Sequence, residues 1–294
     1  MSCTVRFTAV SDLAVSRLAR TGTAVFHSAY RNTLNLMTPA GLIALQRAGS
    51  PLSPLSLITP FGTEGMEALA SFARKRIAVL PDGSLLLGGE AAGDGCMLRC
   101  GPQTAIFDPR VPSVGRFAAA ALTDSTRSML ASAEGRGLAA VYSGPPSGDP
   151  VMAAVSGRLH NARSLLTQKK PEEAAAALLG LIGLGGGLTP SGDDFLCGAA
   201  ACLYAADLAG TDFARALLAG IRSSLSGTND ISAAFLAAAA DGLASDAVCT
   251  LFSGTKKADP SGLIRMFLEI GHSSGIDSLC GIDTVLHYIK DNLL

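Results

Sequence analysis

The residues of this chain best suited to chemistry lie in GLGGGLTPSGDDFLCG, Gly183–Gly198. A glycine run leads there into a helix-start signal and two adjacent carboxylates, Asp193 and Asp194. Backbone amides in a glycine-rich loop at a helix N-terminus hold anions, so two aspartates in the same place need a partner that reconciles them with one. Two arrangements do so. A divalent cation such as Mg2+ bridges Asp193 to a phosphate held by the amides of Gly185, Gly186 and Gly187, since Mg2+ commonly takes one or two carboxylates plus phosphate oxygens. Alternatively the carboxylate accepts hydrogen bonds from an amine or amide of the ligand while the loop takes its anionic end. Both imply a small ligand with a negative end and either a metal or an N–H end. The plain alternative is that the glycines only permit a sharp turn between packed helices.

The stretch has an internal echo. SGDDFLCG at Ser191–Gly198 and SGIDSLCG at Ser274–Gly281 share six of eight residues, 83 positions apart. Each follows a glycine-containing loop, and Ser with Asp three residues later fits a capping box. Capping accounts for Asp194 and Asp277, which correspond. Asp193 matches Ile276 and is not so explained, which makes it the first candidate for contact with ligand or Mg2+. The candidate catalytic set is Asp193, Asp194, His272 and Asp277. Gly185, Gly186, Gly187, Thr189, Ser191, Gly192, Ser273 and Ser274 form the candidate substrate-binding set. Arg158, His160 and Arg163 share a helix and read as a solvated face. Thr228–Ser232 reads as a further helix start, capped by Thr228 or Asp230.

Familiar motifs fail here. A Walker loop needs Lys-Ser/Thr after its last glycine, where Leu188-Thr189 stands. GxGxxG spacing breaks at Leu188 or Pro190, and the upstream segment reads as helix rather than strand. Gly271-His-Ser-Ser-Gly275 matches G-x-S-x-G, but the preceding Arg265–Ile270 looks helical, and only 19 residues follow for the remaining triad members.

The elements that must position these residues change character along the chain. Apolar or alternating runs at Val5–Val10, Thr23–Phe26, Leu55–Ile58, Ile77–Leu80, Ser84–Leu87 and Thr104–Phe107 predict strands. Pro81–Gly83 predicts a tight turn between two of them, and Thr63–Lys75 a helix. From about Val114 the texture becomes Ala- and Leu-rich, predicting helices at Arg116–Tyr142, Val151–Thr167, Pro171–Leu184, Gly192–Ala209, Asp212–Leu225, Ile231–Ala244, Ser261–Ile270 and Gly275–Asn292. Ser143–Pro150, SGPPSGDP, reads as a hinge. The fold class is therefore α+β, with a β-rich N-terminal domain over 1–115 and a helical domain over 116–294 that carries the Gly/Asp motifs.

Composition narrows the function classes. Hydrophobic residues make up 48% and charged residues 16%, which excludes wholesale disorder. A net charge of −1 without a Lys/Arg stripe argues against a nucleic-acid partner. Ala174–Gly192 is free of charge, but its glycines and proline would break a spanning helix, so no membrane association is expected. Seven cysteines with no CxxC pair suit buried thiols in a reducing cytoplasm. MSCTVRFTAVSDLAV lacks a basic segment followed by a long apolar run, so no secretory signal is expected.

GLTPSGDDFL at Gly187–Leu196 and GHSSGID at Gly271–Asp277, in this order, resemble the two signature motifs of the AllH-like family of bacterial proteins. VFHSAYRNTLNL at Val25–Leu36 and SPLSLITP at Ser53–Pro60 are similar in placement to that family's opening segment. The family includes a subunit of oxamate carbamoyltransferase. The resemblance implies a role in the anaerobic use of purine-derived ureides (allantoin catabolism), where carbamoyl transfer interconverts oxamate plus carbamoyl phosphate with oxalurate plus phosphate. It also implies a hetero-oligomer with two other subunits, one resembling acyl-CoA synthetases. Carbamoyl phosphate has the anionic end and the amide end that the glycine loop and aspartates ask for. On this reading the loop amides hold phosphate, Asp193 orients the carbamoyl amide or Mg2+, and His272 or Ser273 meets the acceptor. Two rivals stay open: a self-contained Mg2+-dependent hydrolase built on Asp193, Asp194 and Asp277, and a non-catalytic scaffold subunit. Beyond possible Mg2+, no cofactor is expected.

Overall fold

A computed structural model of the chain describes residues 3–89, 95–133, 135–143, 149–253 and 260–292. It divides into two compact units, Met1–Pro109 and Arg110–Leu294. The first is strand-rich and the second mainly helical, an α+β architecture. Residues 144–148, the middle of the expected hinge, lie outside the described residues.

The first unit runs β1 (Cys3–Arg6), β2 (Ala9–Ser11), α1 (Asp12–Thr21), β3 (Val25–Tyr30), β4 (Thr33–Thr38), β5 (Gly41–Gln46) and β6 (Ser56–Ile58). It continues with α2 (Thr63–Lys75), β7 (Ile77–Val79), β8 (Leu85–Gly88), β9 (Gly95–Arg99) and β10 (Ala105–Phe107). Two mixed sheets result, ordered β10-β2-β6-β5-β4-β3 and β1-β9-β8-β7. The single strand expected over Val5–Val10 is in fact two, one in each sheet. At the switch the Phe7 amide donates to Arg99 O at 3.0 Å, and the Thr8 amide to Ile58 O at 2.9 Å. The Phe7 side chain turns into the core. Helix α2 buries Met66, Leu69, Ala70 and Ala73, the i, i+3, i+4, i+7 stripe of an amphipathic helix. The Pro81–Gly83 turn joins antiparallel β7 and β8, with the Asp82 carboxylate accepting from the Ser84 amide at 3.0 Å. Strand β5 is additional to the sequence reading: GLIALQ is buried at four successive residues and lacks the alternation of a half-exposed strand.

The second unit contains α3 (Gly115–Ala120), α4 (Thr123–Ser132), a 3-10 turn at Gly137–Ala139, α5 (Ala140–Ser143), α6 (Pro150–Thr167), α7 (Pro171–Leu179) and α8 (Ser191–Ala205). After these come α9 (Asp212–Ser223), a 3-10 turn at Leu225–Gly227, α10 (Asp230–Ala240), α11 (Asp246–Phe252), α12 (Pro260–Leu268) and α13 (Ser274–Asn292). Helix α8 is buried along nearly its whole length, which is why its sequence is apolar on every face. Among the described residues no helix is long and apolar enough to cross a membrane.

Helices α8 and α13 cross through their glycines. A Cβ on Gly198 would lie 1.8 Å from Ser278 O, and one on Gly281 would lie 1.9 Å from Phe195 O. The eighth residue of each SG-x-D-x-LCG copy therefore packs on the carbonyl of the fifth residue of the other. This reciprocity makes the two copies an approximate two-fold pair.

The one helix expected over Arg116–Tyr142 is broken into α3, α4, a 3-10 turn and α5. Gly135 and Gly137 take positive φ, 72° and 50°, which ends the helix and redirects the chain. Between α10 and α11, Gly242 does the same with φ 77°.

Burial sets the reactivity of the thiols. Cys96, Cys202, Cys249 and Cys280 are buried and Cys100 is exposed. Burial, aided by the negative charges of Asp194 and Asp193, pushes the partly exposed Cys197 thiol well above its ordinary pKa. In a Cys3→Ser background, an aromatic disulfide reagent is expected to titrate Cys100 at least about tenfold faster than the other described thiols. Rapid titration of several thiols in the folded protein would contradict the packing around α8 and α13.

Candidate functional site

The loop from Gly183 to Pro190 delivers the chain from α7 into α8. Gly185 has φ 126°, and a Cβ there would lie 2.7 Å from Ser191 N, so only glycine lets the loop fold over the helix start. The amides of Gly185, Gly186, Gly187, Leu188 and Thr189 donate to no backbone carbonyl among the described residues. Gly186, Gly187 and Leu188 are exposed. The loop is held from its far side, where Asn229 Nδ2 donates to Leu188 O at 3.0 Å. Amides that face solvent in a fixed, glycine-lined turn are suited to an anion.

Asp193 lies beneath this loop, 1% exposed. Its Oδ1 accepts from the Gly183 amide at 2.8 Å, and its Oδ2 from the hydroxyls of Thr228 and Ser232, each at 2.6 Å. The carboxylate thus ties the base of the loop to the start of α10. Helix α10 is capped by Asn229, whose Oδ1 accepts from the amides of Ile231 and Ser232 at 3.1 Å. This corrects the expectation of Thr228 or Asp230 as cap: the Thr228 hydroxyl is engaged by Asp193.

Asp194 and Asp277 open the paired helices α8 and α13, near enough for the charge of Asp277 to act on Asp194. The α8 copy does not form the expected capping box: Pro190 stands at its N-cap and no side chain caps that helix. The hydroxyls reach across instead. Ser274 and Thr189 lie beside Asp194, Ser191 and Ser273 lie beside Asp277, and Thr189 Oγ1 and Ser274 Oγ are 2.8 Å apart. The first-position serine of each copy thereby serves the aspartate of the other, a second reciprocal relation. Asp277 Oδ1 accepts from the Leu138 amide at 2.6 Å. Each acid nevertheless keeps a buried Oδ2 with no hydrogen-bond partner among the described residues.

The electrostatic consequence is plain. Burial holds Asp194 well above the usual carboxylate range, the neighbouring hydroxyls oppose this, and the charge of Asp277 adds to it. Burial also raises Asp277, against the lowering effect of the Leu138 amide and the Ser191 and Ser273 hydroxyls. Among the described residues no group of three His, Cys, Asp or Glu is placed to hold a metal.

The structure thus brings together Asp194, Asp277, Thr189, Ser191, Ser273 and Ser274, beside Asp193 and the glycine loop. Gly192 is buried at the α8 start, where its amide donates to Leu184 O at 2.9 Å. His272 is exposed in the turn before α13. Arg158 packs its guanidinium over Gly180, and Arg163 pairs with Asp291 at 2.8 Å, so both serve other places. Gly137 and Leu138 are additional to the sequence reading. A Cβ on Gly137 would lie 2.2 Å from Asp277 Oδ1, so this glycine admits the acid and its neighbour's amide holds it. The signal was there: EGRG interrupts an otherwise helical Ala-rich stretch.

Residues 181–286 match the family model described as oxamate carbamoyltransferase subunit AllH. The matched segment contains the glycine loop, both SG-x-D-x-LCG copies and the helices between them. It supports an AllH-like family. No curated protein and no solved structure matches the chain.

Proposed function

We propose that the chain is a subunit of a carbamoyltransferase of the oxamate/oxalurate type, and that it binds carbamoyl phosphate, or a small anion like it, at the Gly183–Pro190 loop. The observation that carries this reading is the AllH match over residues 181–286, which falls on the segment whose geometry suits such a ligand. The unengaged amides of Gly185–Thr189 take the phosphate. The hydroxyls of Thr189 and Ser274 beside Asp194, and of Ser191 and Ser273 beside Asp277, are further donors for the ligand, and the exposed His272 is the group for the acceptor. Stabilising a phosphate leaving group needs fixed donors and little covalent chemistry from the protein.

Asp193 acts through the loop on this reading. Its oxygens are engaged with Gly183, Thr228 and Ser232, so it fixes the conformation that presents the amides. That arrangement does not favour the rival hydrolase, which needs Asp193, Asp194 and Asp277 on one metal. The family description names a subunit, so the catalytic assembly contains other chains, and this subunit is expected to bind ligand before they are added.

Calorimetric titration of carbamoyl phosphate into the purified chain tests the reading. Saturable binding at about micromolar to millimolar strength, weakened by inorganic phosphate as competitor, is the expected result. Heat of dilution alone across that range would remove the phosphate site from this subunit and leave it a scaffold.

A further inference from the structure

We propose that Asp194 and Asp277 together hold one divalent cation of the hard, oxygen-seeking class, and that the anionic substrate binds beside it. The second part rests on the reading above; the first does not. The two acids come from helix starts far apart in sequence, yet the crossing of α8 and α13 brings Asp277 near enough for its charge to act on Asp194, with Thr189 Oγ1 and Ser274 Oγ 2.8 Å apart beside them. Asp277 is fully buried and Asp194 is 8% exposed, and each retains an Oδ2 without a partner among the described residues. Buried carboxylate oxygens left so are costly, and here two occur together. Among the described residues, the groups acting on the pair are hydroxyls, one backbone amide and carboxylates, with no cationic side chain. What the pair lacks is positive charge.

The donor set selects the class of cation. Two carboxylates and the hydroxyls of Thr189, Ser191, Ser273 and Ser274 are oxygen ligands throughout, which suits Mg2+, Mn2+ or Ca2+ rather than metals that prefer nitrogen and sulfur. Among the described residues no third carboxylate joins them, so coordination positions remain for water and for a substrate oxygen, the usual condition of Mg2+ beside phosphates. Preorganisation supports the assignment. The Leu138 amide holds Asp277 Oδ1 at 2.6 Å and fixes the carboxylate's orientation, while Gly137 leaves room for it. The cation also resolves the conflict between an anion-binding loop and the acids beside it, with Asp194 and Asp277 as its ligands in place of Asp193.

Mn2+ alone is the probe. Added to the full chain, it is expected to lose its free-ion paramagnetic resonance signal with a stoichiometry of one, and Mg2+ should displace it. Asp194→Asn and Asp277→Asn are each expected to weaken Mn2+ binding by about tenfold or more, whereas Asp212→Asn, on an exposed helix start, leaves it unchanged. An undiminished free-ion signal at about 1 mM protein, or equal binding by a folded Asp194→Asn variant, overturns the proposal. Should Asp277→Asn fail to fold, Asp194→Asn and the wild-type stoichiometry decide. Carbamoyl phosphate titrated in chelator separates the two readings. Binding there with no Mn2+ site leaves the loop assignment standing without the cation, and Mn2+ binding without carbamoyl phosphate binding does the reverse.

Discussion

Gly281→Ala is expected to lower the thermal midpoint of the protein by roughly 10 °C or to prevent folding, with a cost of about 3 kcal/mol or more. The new methyl would lie 1.9 Å from Phe195 O and 2.8 Å from Ala199 N. Both are backbone atoms of a buried helix, so no side chain can swing away to relieve the clash. Either the two helices separate, which opens their packed faces, or α13 shifts along α8, which breaks the opposite glycine contact at Gly198. Gly157→Ala is the control: Gly157 also lies within a helix, but its added Cβ meets nothing within 4 Å. That change is expected to be neutral or to stabilise by about 0.5–1 kcal/mol. Melting curves followed by circular dichroism compare the two. Coincident midpoints would mean that the α8–α13 crossing is looser than described.

Asp193→Ala should be nearly as severe, and in a way that reaches the ligand. It strands three donors, the Gly183 amide and the Thr228 and Ser232 hydroxyls, in a site 1% exposed, at a cost of about 3–5 kcal/mol. The base of the glycine loop loses its anchor, and affinity for carbamoyl phosphate is expected to fall by at least about tenfold. Asp193→Asn separates positioning from direct contact. A carboxamide oxygen still accepts from Gly183, and the two hydroxyls can turn to accept from its NH2 group. Affinity within about threefold of wild type is therefore expected, with a modest loss of stability of about 1–2 kcal/mol. An Asp193→Asn protein that melts normally but binds more than about tenfold more weakly would show Asp193 touching ligand directly.

The α+β order was legible because its two signals have different periods. Helix α2 was readable to the residue, since its buried face recurs at i, i+3, i+4 and i+7. The strand switch at Phe7–Thr8 was not, because a run that alternates through a kink looks the same as one strand in one sheet. Of the candidate site, the clustering of the Gly/Asp/Ser residues was legible and the contacts each one makes were not. Type and spacing marked Asp193 as the acid without a structural explanation. The structure gives it one, through Thr228 and Ser232, which stand 35 and 39 positions downstream and show no local pattern linking them to it. For Asp194, capping looked sufficient only because a capping box is a local rule. The serines reach across to the other helix, and such a partnership is invisible to any window of a few residues. Gly137 was hidden for the same reason: its contact is with an acid 140 positions away, reckoned from Gly137 to Asp277.

The long sequence separation of α8 and α13 also governs the order in which the molecule acquires its parts. Their starts are 83 positions apart, with four helices between them, and the entropy of closing so large a loop must be met before the contact yields anything. Neither acid has the serine of the opposite helix, and neither glycine its carbonyl, until that closure occurs. A partly folded chain can therefore contain every individual helix and still have no acid pair. Recovery of a ligand signal on refolding would lag behind recovery of helical signal, and the interval between them would time the docking of α13.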